Sequence, residues 1–182
     1  MNRRIKLVPA YAGTLGSGFT LIELMIVIVI MGVLAIIGVT AFRSSQIKGR
    51  DSARKGDLKA ISQALELYYN DNSRYPNDDG AGGIVGCDGG VGTNPAPAPV
   101  ACTAGEVFKN ANGTIYMPQL PKDPIDPKQM FFYDGVSTGS QFKLYARLEN
   151  NQDPQIMSPL PAVDCGTDVQ CNYGVSSGNI SL

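Results

Sequence analysis

Carboxylates, lysines, tyrosines and four cysteines are the groups in this 182-residue chain that could do chemistry; histidine is absent. Without histidine there is no imidazole general base, no Ser-His-Asp or Cys-His pair and no imidazole metal ligand. The cysteines, Cys87, Cys102, Cys165 and Cys171, include no Cys-x-x-Cys pair, which argues against a zinc site or a thioredoxin-type redox centre. Their number is even and all lie in loop-like sequence, a pattern that reads as disulfides made in an oxidising compartment. Three connectivities exist. Cys87–Cys102 with Cys165–Cys171 is favoured, because the first would close a Gly/Pro-rich loop and the second a hairpin-like tail. Asp123 and Asp126 flank Pro124 and read as turn residues. Glu149, Asp153, Asp164 and Asp168 are scattered among prolines and read as solvated loop charges, since calcium wants about six to eight oxygens in one cage. No catalytic constellation, cofactor or metal site is expected. A net charge of −1 with only 17% charged residues also leaves no whole-chain footprint for nucleic acid.

One acid stands apart. Glu23 precedes nineteen uncharged residues, Leu24–Phe42, in an apolar run that starts at Phe19. As a helix that run spans roughly 36 Å, enough for a bilayer core of about 30 Å. It is too long for the apolar region of a secretory signal peptide, and Arg43-Ser44-Ser45-Gln46 follows where a small-x-small cleavage site would be needed. A carboxylate inside such a segment costs a few kcal/mol and is functional by default. Met1–Gly18 carries Arg3, Arg4 and Lys6 and no acid, and reads as a basic cytoplasmic leader. Six cations crowd the other flank: Arg43, Lys48, Arg50, Arg54, Lys55 and Lys59. Taken alone, the positive-inside rule would keep the head in the cytoplasm. Large domains translocate regardless of flank charge, and the cysteines favour a head outside.

The string Gly18-Phe19-Thr20-Leu21-Ile22-Glu23-Leu24, continued by Met25 to Ala35, resembles the prepilin processing site of type IV pilins and type II secretion pseudopilins. The resemblance implies that a prepilin peptidase cuts between Gly18 and Phe19 and methylates the new N-terminus of Phe19. Residues 1–18 are then a leader and 19–42 a transmembrane and assembly helix. Cleavage creates an ammonium on Phe19, and an ammonium and a carboxylate buried together offset part of each other's desolvation cost. Formed between neighbouring subunits, a Phe19–Glu23 pair would set the register of a filament. The implied partners are the peptidase, other copies of the chain, minor pilins or pseudopilins, and an inner-membrane assembly platform with its ATPase. Many family members carry a proline near the end of the span; here Thr40 stands there.

Those groups need elements to hold them. No proline occurs between Pro9 and Pro76, and Leu58, Ile61, Leu65 and Tyr68 recur on one helical face. One helix is expected from Phe19 to about Asn72, with residues 43–75 as its amphipathic half. The polar run Asn70–Arg74 and Pro76 stop it. Asn77 to Gly105 is rich in glycine and proline and reads as an exposed loop without a phosphate cradle. Strands are expected at Thr114–Met117, Met130–Asp134 and Gln141–Leu148, forming an antiparallel meander over the helix within a head of residues 76–182. Between the first two, Leu120-Pro121-Lys122-Asp123-Pro124 is similar to a Leu-Pro-x-Asp-Pro run of the major pseudopilins. That branch also implies a C-terminal calcium loop near a Gly-Pro-Asp-Gly type run, which this chain lacks. The expected fold class is α+β and pilin-like. The expected function is a structural filament subunit in the cytoplasmic membrane with its head outside, later in a periplasmic or extracellular filament. The alternative is a single-pass membrane-anchored binding protein that never polymerises.

Overall fold

The computed structural model describes residues 18–85, 101–102, 104–110, 112–136 and 138–178. Contacts divide the chain into two units, Met1–Arg43 and Ser44–Leu182. Helix α1 (Leu21–Asn72) contributes residues to both. It begins two residues after the expected Phe19, because Thr20 serves as its cap. It ends where Ser73 turns to a positive φ of 55° and Pro76 follows. The Asn72 side-chain amide donates to the Tyr68 carbonyl at 2.8 Å and closes the last turn.

Within the first unit, large apolar side chains from Leu21 to Phe42 are exposed around the whole helix. A helix apolar on every side belongs in a bilayer or among other helices. This stretch is long and apolar enough to cross a membrane.

Within the second unit α1 has a single buried stripe: Asp51, Arg54, Leu58, Ile61, Leu65 and Tyr68. Steps of three and four residues keep these side chains on one face. The expected Leu58, Ile61, Leu65 and Tyr68 form the upper part and pack with Phe108, Tyr133, Phe142 and Leu144. Burying each large apolar side chain contributes about 1.5–3 kcal/mol. The Tyr68 ring stacks on Phe108, with centroids 5.4 Å apart.

Two small antiparallel sheets complete the α+β fold. Strand β1 (Phe108–Lys109) pairs with β2 (Ile115–Met117) around the Asn112-Gly113 turn, where Gly113 takes φ 82°. Strands β3 (Phe132–Gly135), β4 (Phe142–Ala146) and β5 (Tyr173–Ser176) form the second sheet in that order. Tyr133 faces Leu144, which faces Val175. The three expected strands exist, but the expected meander does not. The Thr114–Met117 segment leaves it for the β1 hairpin, and the third strand of the larger sheet is β5 from the tail. The β4 alternation also differs, because Tyr145 on the second face is buried against Cys165 and Cys171.

The stretch read as an exposed loop is anchored at its start. Ile84 and Val85 are buried, and the Tyr133 amide donates to the Gly82 carbonyl at 2.8 Å. Gly82 has φ 95°, and a Cβ there would lie 2.5 Å from the Phe132 ring, so glycine is required. Cys165 and Cys171 are joined by a disulfide, Cα–Cα 5.1 Å. Cys102 is also disulfide-bonded, and its expected partner Cys87 lies outside the described residues.

Candidate functional site at the start of the helix

Thr20 and Glu23 close the N-terminus of α1 reciprocally. The Glu23 amide donates to Thr20 Oγ1 at 3.2 Å, and the Thr20 amide and hydroxyl both donate to Glu23 Oε2 at 2.8 Å. This is a capping box, in which two residues satisfy donors that the first helical turn leaves unpaired. The Thr-x-x-Glu spacing was visible in the sequence, but the processing motif accounted for Glu23 and the local role was missed. The Glu23 carboxylate has neutral donors, and no cation pairs with it among the described residues.

The neighbouring residues are bare. Phe19 is 93% exposed, and nothing lies within 4 Å of a Cβ built on Gly18, Gly32 or Gly38. None of the three has the positive φ that favours glycine. The chain's own packing does not require glycine at these positions, so any requirement comes from another molecule. The leader, residues 1–17, lies outside the described residues.

A second charged group lies in the head, and sequence reasoning missed it. Arg54 is fully buried on the helix stripe. Its guanidinium binds Asp123 through two contacts of 2.7 and 3.0 Å, Asp51 at 2.8 Å and Glu149 at 2.7 Å. Arg50 makes a two-pronged pair with Glu149 at 2.7 and 2.6 Å. Asp51 accepts the backbone amides of Glu149 and Asn150, each at 2.9 Å. Lys55 pairs with Asp153 at 2.7 Å and lies over the Tyr173 ring.

Glu149 and Asp153, expected as solvated loop charges, are therefore half-buried partners of helix cations. Asp123 keeps its turn role by accepting the Ile125 amide at 2.9 Å, and adds the grip on Arg54. Burial alone would push the Arg54 guanidinium down; Asp123 and Glu149 reverse this and hold it well above its ordinary value. The Arg50 hydrogen bonds hold Glu149 down to about 2. The Lys55 ammonium likewise lowers Asp153.

Residues 16–39 match the prokaryotic N-terminal methylation motif. The chain is 37% identical over 131 residues to type II secretion system core protein G of Pseudomonas aeruginosa, covering 71% of this chain and 81% of that one. It belongs to the type II secretion system core protein G family, the major pseudopilins. The proteins of that name from Escherichia coli and Aeromonas hydrophila are 32% and 36% identical. Those matches cover 67% and 63% of this chain, and 80% and 71% of the relatives. No solved structure matches the chain.

Membership gives the helix start its meaning. The methylation-motif match, residues 16–39, spans the segment that Thr20 and Glu23 organise, and the apolar helix beyond is long and apolar enough to anchor the chain in a membrane. In this pseudopilin the tail acids do not fit the calcium loop that its branch implies. Glu149 and Asp153 are bound to helix cations, and no group of three acidic or cysteine side chains set to hold a metal occurs among the described residues.

Proposed function

We propose that the chain is a structural, non-catalytic subunit that is cut between Gly18 and Phe19, methylated on Phe19 and polymerised through α1. The observation that carries this is the lone Glu23 carboxylate at the mouth of a helix exposed and apolar on every side. A helix of that kind buries its surface in lipid before assembly and against other helices afterwards. Cutting after Gly18 leaves an ammonium next to the Thr20 cap. In an apolar bundle that ammonium needs a counter-charge, and Glu23 of a neighbouring subunit supplies it. A subunit one step out of register leaves both charges unpaired, so the pair selects the correct stagger.

The partners that follow are a prepilin peptidase, other copies of the chain, minor pseudopilins, and the assembly platform with its ATPase. The head lies outside the cytoplasm; the Cys165–Cys171 disulfide supports that side of the membrane. Mass spectrometry of filaments from the native host tests the proposal. The expected chain starts at Phe19 and carries one added methyl. A start at Met1 in assembled material overturns it.

A further inference from the structure

We infer that the head closes its C-terminal segment without a divalent cation, using three helix cations and one disulfide where its branch implies calcium. The carboxylate oxygens are already engaged. Glu149 receives Arg50 on both oxygens and Arg54 on one. Asp51 takes Arg54 and the Glu149 amide on Oδ1 and the Asn150 amide on Oδ2. Asp153 takes Lys55 on one oxygen and the Gln155 amide on the other. Asp123 gives both oxygens to Arg54. Each of these four carboxylates is bonded to Arg50, Arg54 or Lys55, so a dication would have to displace those ion pairs to gain its oxygens.

The remaining tail acids are held apart from this group. Asp164 is bridged to Gln170 beside the Cys165–Cys171 bond, and Asp168 sits at φ 57° in the loop that bond closes. A second fastening follows. The Met130 amide donates to the Cys165 carbonyl at 2.7 Å. A Cβ on Gly166 would lie 2.2 Å from the Lys128 carbonyl oxygen, so the tail lies tight against the segment before β3. The helix cations thus hold residues 149–153, and the disulfide loop holds residues 164–170.

The test uses the full chain in detergent, melted at neutral pH in EGTA, in excess calcium chloride and in excess magnesium chloride. Near-ultraviolet circular dichroism reads the melt, because seven of the eight tyrosines lie at or beyond Tyr68. The three midpoints should agree within about 1 °C, whereas occupancy of a specific site would raise the midpoint by several degrees. Replacing Cys165 and Cys171 together by serine and, separately, Glu149→Gln should each lower it by several degrees, equally in EGTA and in calcium. A rise of several degrees in calcium but not in magnesium overturns the inference. Midpoints unmoved by both the paired cysteine replacement and Glu149→Gln overturn it too. Assembly is not read in this experiment, so failure of the filament reading leaves the result intact.

Discussion

Glu23 and Arg54 are charges on the same helix with opposite solutions to the same cost. Arg54 is fully buried, and three carboxylates of its own chain surround it. Glu23 begins an apolar stretch and, among the described residues, receives only the Thr20 amide and hydroxyl. A charge neutralised inside the chain serves folding. A charge supported by neutral donors alone keeps its Coulombic partner open, and a second molecule can supply it.

The largest expected effect is at Arg54. Arg54→Met would leave the buried Asp51 and Asp123 without their cation and Glu149 with Arg50 alone. Breaking a buried pair in this way costs ~3–5 kcal/mol, a midpoint drop of roughly 6–20 °C for a domain of this size. Thermal melts check it, and an unchanged midpoint would erase the contrast from the head side.

Substitutions at Glu23 should leave the head's midpoint alone and act on assembly. Glu23→Ala removes the charge and the carboxylate half of the capping box, while the residue-23 amide can still donate to Thr20 Oγ1. Glu23→Gln keeps the reciprocal cap and removes only the charge. Both should still be inserted and cut, and both should fail to assemble, since an unpaired buried ammonium costs ~3–5 kcal/mol at each addition. Sheared filaments and membrane fractions, run side by side, are the measurement. Filaments from Glu23→Gln subunits would reduce Glu23 to a cap.

Acid separates the two sites less sharply. Glu149 has a folded pKa of about 2, below its ordinary value of 4.5. A depressed carboxylate stabilises the fold fully above its unfolded pKa, and that contribution fades as pH falls from about 4.5 towards about 2. The head's midpoint should fall across that window. Glu149→Gln should start lower at neutral pH and show a shallower fall; parallel curves would mean that another group governs the acid response.

The smallest effect belongs to Lys55→Met. The Lys55–Asp153 pair is partly exposed, with 25% and 15% of the side chains accessible, so its loss should cost under about 1 kcal/mol. A double-mutant cycle with Asp153→Asn measures the coupling, and a coupling as large as that of Arg54 with Asp123 would contradict the ranking by burial.

Much of this was readable from local pattern. The helix and its Leu58–Tyr68 stripe follow from period and from the absence of proline; β2 follows from the Asn112-Gly113 turn before it, β3 from an apolar and aromatic run, and β4 from alternation. Strand β5 escaped because it is four residues long and contains Gly174, a residue strands disfavour. The meander failed for a related reason: adjacency in sequence cannot say which edge a distant tail will take. The Arg54 group was out of reach, since its acids at 123 and 149 lie 69 and 95 residues from their cation. Its only local trace is that Asp51 and Arg54 extend the Leu58–Tyr68 spacing by two further members. At the helix start, Thr20 and Glu23 were both seen, but one role masked the other.

The long sequence separation within the Arg54 group also bears on direction. In the orientation proposed above, Arg50, Arg54 and Lys55 must leave the cytoplasm before Asp123, Glu149 and Asp153 have followed them. Until then only Asp51, three residues before Arg54, travels with them as a partner, and the positive-inside tendency pulls the excess positive charge back. Contacts that span so much chain close late. Once they close, half of the six flanking cations are locked into ion pairs, and returning them would require unfolding the head. In that orientation, folding on the far side would convert a reversible crossing into a committed one.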